Sequence, residues 1–344
     1  MIELRNDRLV FSFPDVHADA EFAIDFQRTL RIPDDDTDYS LPPGLGRFPV
    51  RHVDDFARSV PARWLDHGGV MLPMYQSEAL WLNFSRGGAD FSYPFAVKIA
   101  TGKRDAITGR AWSDGLHGKQ DYVVIPKQPW LDGYCVEKGI IRQFVAMPLG
   151  AGYSAEEQIT GEAEHGGIQV VAYPMRRDAY ERRRKEWEAS PRSMWASDVE
   201  YCAPAFLSVR EDAYDMGLAP GGRMRQEIYD DPYELDEWDT GNASRCFIHI
   251  ANSMVWRAIT GTNPPTTPPT AKEYTNAGLP WFEYYGGDAK ALDGAGTLAG
   301  LKSVVRLGKE KGDVPLPENE PVTPGNIVHL RSALTPEQVR EGRF

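Results

Sequence analysis

Three short apolar runs in the middle of the chain constrain its fold more than any other feature of the sequence. They span Tyr122 to Ile125, Ile140 to Met147 and Ile168 to Tyr173, and each is closed by proline, glycine or a polar turn. They are rich in Val, Ile, Phe and Tyr, which fit a pleated, half-buried surface. The runs therefore predict β-strands, with the polar, glycine-rich segments between them as loops that can carry a site.

Alternation and frequent turn formers extend this pattern beyond the centre. Phe22, Ile24 and Phe26 alternate with other residues and predict a strand with one apolar face. The 26 prolines and 32 glycines among the 344 residues keep the elements short. We predict an α+β, β-rich protein with antiparallel sheets, either sandwich-like or in a distorted barrel, and a few short peripheral helices.

The proline-rich connector at 262–272 bears on domain organisation, because such a segment can separate two domains or drape over one. The aromatic cluster LPWFEYY follows at 279–285, and its rings must be buried somewhere. We therefore predict one large β-rich domain over 1–344, with the connector draped on its surface.

The charge balance limits the partners that this chain can have. A net charge of −12 disfavours nucleic acid and anionic membranes, both of which attract basic surfaces. The one basic stretch, Arg176 to Lys185, is interspersed with acidic residues and is typical of a solvated helix face. We predict no nucleic-acid and no membrane partner. A protein or small-molecule ligand is expected, and self-association into a homo-oligomer stays open.

The cysteines indicate the redox compartment. Cys135, Cys202 and Cys246 form an odd set without CxxC spacing, which argues against a disulfide framework or a zinc cluster. Residues 1–13 lack the basic region and apolar run of a secretory signal. We predict three free thiols and a cytoplasmic location.

Two central segments are similar to those of a family of uncharacterised bacterial and fungal proteins. They read QDYVVIPKQPWLDG at 120–133 and RQFVAMPLGAGYS at 142–154, and the later CFIHIANSMVWRAITG and AGLPWFEYY resemble the same family. Some fungal members look ubiquitin-like at their N-terminus, but residues 1–32 do not. The resemblance extends from about residue 20 onward. It implies a single evolutionary unit and brings no activity, cofactor or catalytic residue.

The richest ionisable cluster offers a catalytic hypothesis. It comprises Glu156, Glu157, Gln158, Glu162, Glu164 and His165. A histidine oriented by a carboxylate can transfer protons near neutral pH, and His-Gly-Gly at 165–167 would leave backbone N–H groups open to an oxyanion. We predict His165 as proton carrier, Glu162 as its orienting partner and Arg142 beside them. The alternative is an acidic hairpin loop, since neither GxSxG nor HExxH occurs.

Polar and aromatic residues at strand ends suggest ligand contacts. Arg142 and Gln143 interrupt an apolar strand, so they line a pocket or face solvent. Trp281 and Tyr285 belong to an aromatic group that either binds a partner or packs the connector. The predicted ligand-binding residues are Trp130, Asp132, Gln143, Gln158, Trp281 and Tyr285.

No metal or cofactor is predicted, because none of the seven histidines shares a pair at metal-binding spacing. Cys135 is either a nucleophile acting with His165 or a small core residue. Two classes of function stay open. The first is a non-catalytic binding or assembly protein that uses acidic and aromatic-proline surfaces. The alternative is a hydrolase or transferase with its site in the 130–165 loops.

Overall fold

The computed structural model describes residues 1–86, 92–189, 215–285, 290–313 and 319–331. The strands are β1 (Ile2–Arg5), β2 (Arg8–Ser12), β3 (Glu21–Thr29), β4 (Asp38–Tyr39), β5 (Gly44–Arg47), β6 (Arg51–His52), β7 (Val70–Met74), β8 (Ala79–Arg86), β9 (Phe95–Thr101), β10 (Arg104–Asp105), β11 (Val123–Ile125), β12 (Trp130–Leu131), β13 (Gly133–Glu137), β14 (Ile140–Pro148), β15 (Ile168–Pro174), β16 (Met216–Arg225), β17 (Ser244–Asn252), β18 (Trp281–Tyr285) and β19 (Ile327–Arg331).

The helices of the described residues are short. They are α1 (Ala62–His67), α2 (Ala155–Thr160), α3 (Arg177–Ala189), α4 (Ser253–Thr260), α5 (Ala271–Asn276), α6 (Gly296–Ala299) and α7 (Val304–Lys311), with 3-10 turns at Asp54–Phe56 and Leu235–Glu237. Within the described ranges, no helix is both long and apolar enough to span a membrane.

The described strands form two large sheets and one small one. The first sheet has ten strands in the order β1-β2-β3-β8-β14-β16-β4, with β5, β12 and β13 paired to its inner strands. The second has seven strands in the order β10-β9-β15-β17-β7-β6, with β11 paired to β9. The third pairs β18 with β19.

The two large sheets pack against each other. Phe22 of β3 meets Phe95 of β9 at a ring-centroid distance of 4.5 Å. The hydroxyl of Tyr134 on β13 lies 2.7 Å from Oγ1 of Thr101 on β9 and donates to the Leu218 backbone oxygen at 2.8 Å. One buried apolar cluster draws residues from both sheets. The sheets are not closed into a barrel, and the predicted β-rich α+β class is confirmed.

The three apolar runs coincide with β11, β14 and β15. The three strands do not form one central unit. β14 lies inside the first sheet, whereas β11 and β15 belong to the second. Most pairings are antiparallel as predicted, but β4–β16, β7–β17 and β18–β19 are parallel. These partners are far apart in sequence, so the chain has room for the crossover that parallel pairing requires.

The proline-rich connector contacts the first sheet. The buried Arg28 side chain donates to the backbone oxygen of Thr266 and forms an ion pair with Glu78 at 2.8 Å. After the connector, Trp281 is fully buried and donates from its indole nitrogen to Oγ1 of Thr275 at 3.1 Å. The single-domain organisation stays a prediction.

Candidate functional site

A small surface pocket lies beside β12, a short strand of the first sheet. The preceding Gln128 side chain donates from Nε2 to the backbone oxygens of Trp130 at 3.0 Å and Glu227 at 3.1 Å. These bonds tie the β12 turn to the segment that follows β16 and so shape the pocket wall. The pocket, called the Trp130 pocket below, is lined by Leu41, Gln128, Pro129, Trp130, Arg225, Gln226, Glu227, Tyr229 and Tyr284.

Two aromatic side chains give the Trp130 pocket a defined shape. The rings of Trp130 and Tyr284 meet edge-to-face, with centroids 4.8 Å apart and an angle of 71°. Trp81 adds a second edge contact to Trp130 at 6.4 Å. Such pairs contribute about 0.5–1.5 kcal/mol beyond the area they bury. Trp130 and Tyr284 are only half-buried, so part of each ring remains at the surface.

Asp132 supports this wall from the interior. Its backbone N–H donates to Oε1 of Gln226 at 3.0 Å, and Nε2 of Gln226 donates to its Oδ2 at 2.7 Å. Burial raises the pKa of Asp132 to about 7, although hydrogen bonds from Trp130 and Gln226 lower it in part. Asp132 is therefore a buried anchor for the Trp130 turn and does not present an open carboxylate to the pocket.

The charges at the pocket rim are unevenly paired. Arg225 is bound by Glu283 at 2.7 Å, and Glu283 also lies 3.4 Å from Nδ1 of His329. Glu227 is half-buried. One of its carboxylate oxygens, the buried Oε2, accepts no hydrogen bond within the described part of the chain. Sequence patterns gave no signal for Arg225, Gln226 or Glu227, because these residues reach the pocket only through the pairing of β16.

The aromatic segment after the connector divides between packing and pocket. Trp281 lies in the core, as expected for a residue that packs the connector onto the sheets. The backbone of Phe282 pairs with Leu41, which places the half-buried Tyr284 against Trp130. The side chain of Tyr285 lies outside the described part of the structure. Of the predicted ligand-binding residues, Trp130 therefore lines the pocket and Asp132 lies behind it.

His165 has two carboxylate partners, the buried Glu156 and, at 3.6 Å, the exposed Glu164. Nδ1 of His165 lies 3.1 Å from Oε1 of Glu156, whose other oxygen accepts the backbone N–H of His165 at 3.2 Å. Ser154 and Glu157 form a capping box that begins α2 and turns Glu156 inward, where it is 5% exposed. Glu162 lies beyond the end of α2 and is exposed. The structure therefore does not bring the Glu162 carboxylate to His165.

The His-Gly-Gly turn at 165–167 has its N–H groups occupied. Those of His165 and Gly166 point at Oε2 of Glu156, and that of Gly167 donates to the backbone oxygen of Met216 at 3.1 Å. Glu156 fits there because Gly102 lacks a side chain: a Cβ at Gly102 would lie 2.4 Å from its Oε2. The expected open oxyanion site is therefore absent from this turn.

A second His-Gly-Gly turn, at 67–69, lies beside the first. A Cβ at Gly69 would lie 2.2 Å from the Phe247 oxygen, and one at Gly167 would lie 2.5 Å from the Ile248 oxygen. Both turns thus press closely against β17, which leaves the rings of His67 and His165 6.3 Å apart. The tripeptide His-Gly-Gly occurs at both turns, and this repeat is a signal that could have been read from the sequence.

A third histidine completes this group. His249 of β17 lies 6.5 Å from the His67 ring, stacks on Trp64 at 4.8 Å and contacts the Gly68 backbone oxygen through Nε2 at 3.0 Å. Burial lowers the pKa of His249 to about 4, and the Gly68 contact opposes this only in part. His249 is therefore neutral at physiological pH.

Two polar residues of β14 connect parts of the backbone. Arg142 donates from Nη1 to the backbone oxygen of Gly221 at 3.1 Å and lies 3.6 Å from the Asp34 carboxylate. Gln143 is fully buried, donates to the Leu30 oxygen at 2.9 Å and accepts from the Ile32 N–H at 3.1 Å. The partners of both residues lie away from His165, and Gln143 is buried from solvent.

Gln158 and Cys135 also have structural surroundings. Gln158 donates from Nε2 to the backbone oxygens of Tyr153 at 2.8 Å and Lys302 at 3.0 Å, which joins α2 to the start of α7. Cys135 is 1% exposed, and burial raises the pKa of its thiol to about 12. A buried thiol of this kind is a core residue and a poor nucleophile.

Across the described residues, no group of three or more His, Cys, Asp and Glu side chains could hold a metal ion. The fold and the pocket define a β-rich protein with two large sheets, one small sheet and an aromatic surface pocket. No family model, curated protein or solved structure matches this chain. The family resemblance of its central motifs therefore stays an expectation.

Proposed function

We propose that this protein is a cytoplasmic, non-catalytic binding protein and that the Trp130 pocket holds part of its ligand. The supporting observation is the pair of half-buried rings, Trp130 and Tyr284, which meet at 4.8 Å on the pocket wall. Aromatic side chains of this kind dominate recognition surfaces, because they supply large contact area with few rotatable bonds.

The rigidity of the pocket wall supports the same proposal. Asp132 and Gln226 exchange two hydrogen bonds behind Trp130, and Gln128 binds the backbone of its turn. A wall that is already ordered loses little conformational entropy when a ligand binds. The polar residues around the pocket thus serve to position the aromatic rings.

The partner class follows from charge and composition. The net charge of −12 favours a basic protein or small molecule over nucleic acid or an anionic membrane. The odd number of cysteines and the lack of CxxC spacing favour the reducing cytoplasm. The alternative partner is a second copy of this protein, bound through the aromatic-proline surface.

The test uses protein labelled with 5-fluorotryptophan, whose nine tryptophans give separate fluorine resonances. Trp130→Phe assigns the Trp130 signal, and a fragment library is then screened by fluorine NMR. Binding at the pocket should move the Trp130 resonance and leave that of Trp187, 37% exposed on α3, unchanged. A library in which no compound moves the Trp130 signal more than the Trp187 signal contradicts the proposal.

A hydrolase or transferase is the second candidate, and one observation favours it. His165 is oriented by Glu156 at 3.1 Å and lies beside the exposed His67, an arrangement suited to proton transfer. The test is turnover of p-nitrophenyl acetate and p-nitrophenyl phosphate. His165→Ala should abolish any activity and leave the melting temperature nearly unchanged, whereas activity that survives this change contradicts an enzyme at this loop.

A further inference from the structure

We infer that His67 and His165 together bind one divalent transition-metal ion of the zinc class, each through one imidazole nitrogen. The inference goes beyond the proposed binding function, because neither histidine lines the Trp130 pocket. It depends on three features of the described residues: the close approach of two His-Gly-Gly turns, an oriented and reachable nitrogen on His165, and acidic neighbours.

The backbone holds the two rings near each other. Both turns are anchored on neighbouring residues of β17, against which Gly69 and Gly167 lie too closely to carry a side chain. The rings of His67 and His165 are consequently 6.3 Å apart. Two imidazoles that bind one ion at about 2.0–2.1 Å have ring centroids roughly 5–6 Å apart. His67 is exposed, so a small rotation of its side chain closes the difference.

His165 presents a ring nitrogen that a metal ion can reach. Its Nδ1 lies 3.1 Å from the Glu156 carboxylate, which fixes the orientation of the ring. Its Nε2 takes part in no hydrogen bond with the described residues and is not buried, and the side chain is 16% exposed. A carboxylate on one ring nitrogen is the usual outer partner of a metal-bound histidine, because it raises the basicity of the other nitrogen.

The neighbouring charges favour a cation. The exposed Glu164 carboxylate lies 3.6 Å from Nδ1 of His165, and the exposed Asp66 directly precedes His67. Arg63 of α1 is bound by Asp215, which compensates its positive charge. Two histidines could also hold an anion when they are protonated, but acidic neighbours oppose an anion and attract a metal ion.

The third histidine of this group is not a ligand. His249 is buried, stacks on Trp64 and contacts the Gly68 backbone oxygen through Nε2 at 3.0 Å, so it supports the turn that carries His67. Across the described residues, no third side chain completes a set of metal ligands. Water therefore fills the other positions around the ion, and the site is weaker and more exchangeable than a structural zinc centre.

The experiment titrates zinc chloride into the full-length protein labelled with nitrogen-15 histidine. A long-range proton–nitrogen NMR spectrum resolves the ring nitrogens of the seven histidines, and His67→Ala and His165→Ala assign the two signals. Zinc should shift Nε2 of His165 and one ring nitrogen of His67 together, with a single dissociation constant. Nδ1 of His165 should keep its proton, because it remains bound to Glu156.

Calorimetry of the same variants tests whether the two rings share the ion. His67→Ala and His165→Ala should each weaken zinc binding about tenfold or more, because either change leaves a single imidazole. His329→Ala is the matched control, since it removes a histidine that is 72% exposed on β19. It should leave the affinity within about twofold of the wild type. Circular dichroism confirms that each variant is folded.

Three results would overturn the inference. Zinc shifts confined to one of the two rings, or an affinity within about threefold of the wild type in either His67→Ala or His165→Ala, would mean that the rings do not share an ion. An equal loss in His329→Ala would mean that zinc binds only to scattered surface histidines. None of these results bears on the Trp130 pocket, so the proposed binding function is tested separately.

Discussion

The imidazole of His165 lies 3.1 Å from the carboxylate of Glu156, and the same carboxylate also binds the backbone of the His165 turn. We expect Glu156→Gln to lower the free energy of unfolding by about 1–3 kcal/mol, because the amide places a donor where an oxygen accepts N–H groups. Urea unfolding at neutral pH measures this. Glu162→Gln is the control, and its effect should stay within about 0.5 kcal/mol because Glu162 is exposed. Equal losses in the two variants would contradict the assignment of Glu156.

The buried Asp105 should make stability depend on pH. Burial raises the pKa of its carboxyl from 3.8 to about 7, although Thr108 donates to it. Because the folded pKa lies above the unfolded one, this group's contribution is full below about pH 4 and is lost as pH rises toward 7. Asp105→Asn keeps an acceptor for Thr108 and should gain on the order of 2 kcal/mol relative to wild type between pH 5.5 and pH 8. Asp66→Asn, at an exposed residue, should show no such trend.

His249 should produce the opposite pH dependence. Burial lowers its pKa from 6.5 to about 4, so its contribution to stability is full above about pH 6.5 and is lost as pH falls toward 4. His249→Phe retains a ring to stack on Trp64 but cannot be protonated. Its melting temperature should therefore fall less than that of the wild type between pH 7 and pH 4.5. A parallel decline in both proteins would mean that folding does not lower the pKa of His249, so that its ring is protonated as readily in the folded protein as in the unfolded chain.

The domain prediction can be tested by limited proteolysis. If the chain is one domain, cleavage within 262–272 should not release two separately folded halves, because Thr266 is held by Arg28 and Trp281 is buried just beyond the connector. Size-exclusion chromatography of the digest measures this. Two compact fragments, each with its own cooperative unfolding transition, would show that the chain contains two domains.

The cysteines should be reduced and, where buried, unreactive. Thiol titration of the denatured, unreduced protein should count three, and a count of one would contradict the prediction. In the native protein, Cys135 and Cys246 should not react, since burial raises both thiol pKa values to about 12. Cys202 lies outside the described residues, so mass spectrometry of the labelled native protein should be used to assign any fast-reacting thiol.

Much of the local structure could be predicted from the sequence. The run from Ile140 to Met147 is β14, and that from Ile168 to Tyr173 is β15, each extended by one residue at its proline. Strand propensity and turn residues act over a few neighbouring positions, so a single sequence contains this information. The same local reasoning predicted Trp130 and Asp132 as ligand-binding residues, and the structure places Trp130 on the wall of a pocket and Asp132 buried behind it.

Only the tertiary structure decided which distant residues meet. Glu156 rather than Glu162 binds His165, because the capping box of α2 turns one glutamate inward and leaves the other in solvent. Trp130 meets Tyr284 through the pairing of segments that are far apart along the chain. Such contacts depend on sheet order and strand register, which are set by the burial of the whole core and leave no local pattern in a single sequence.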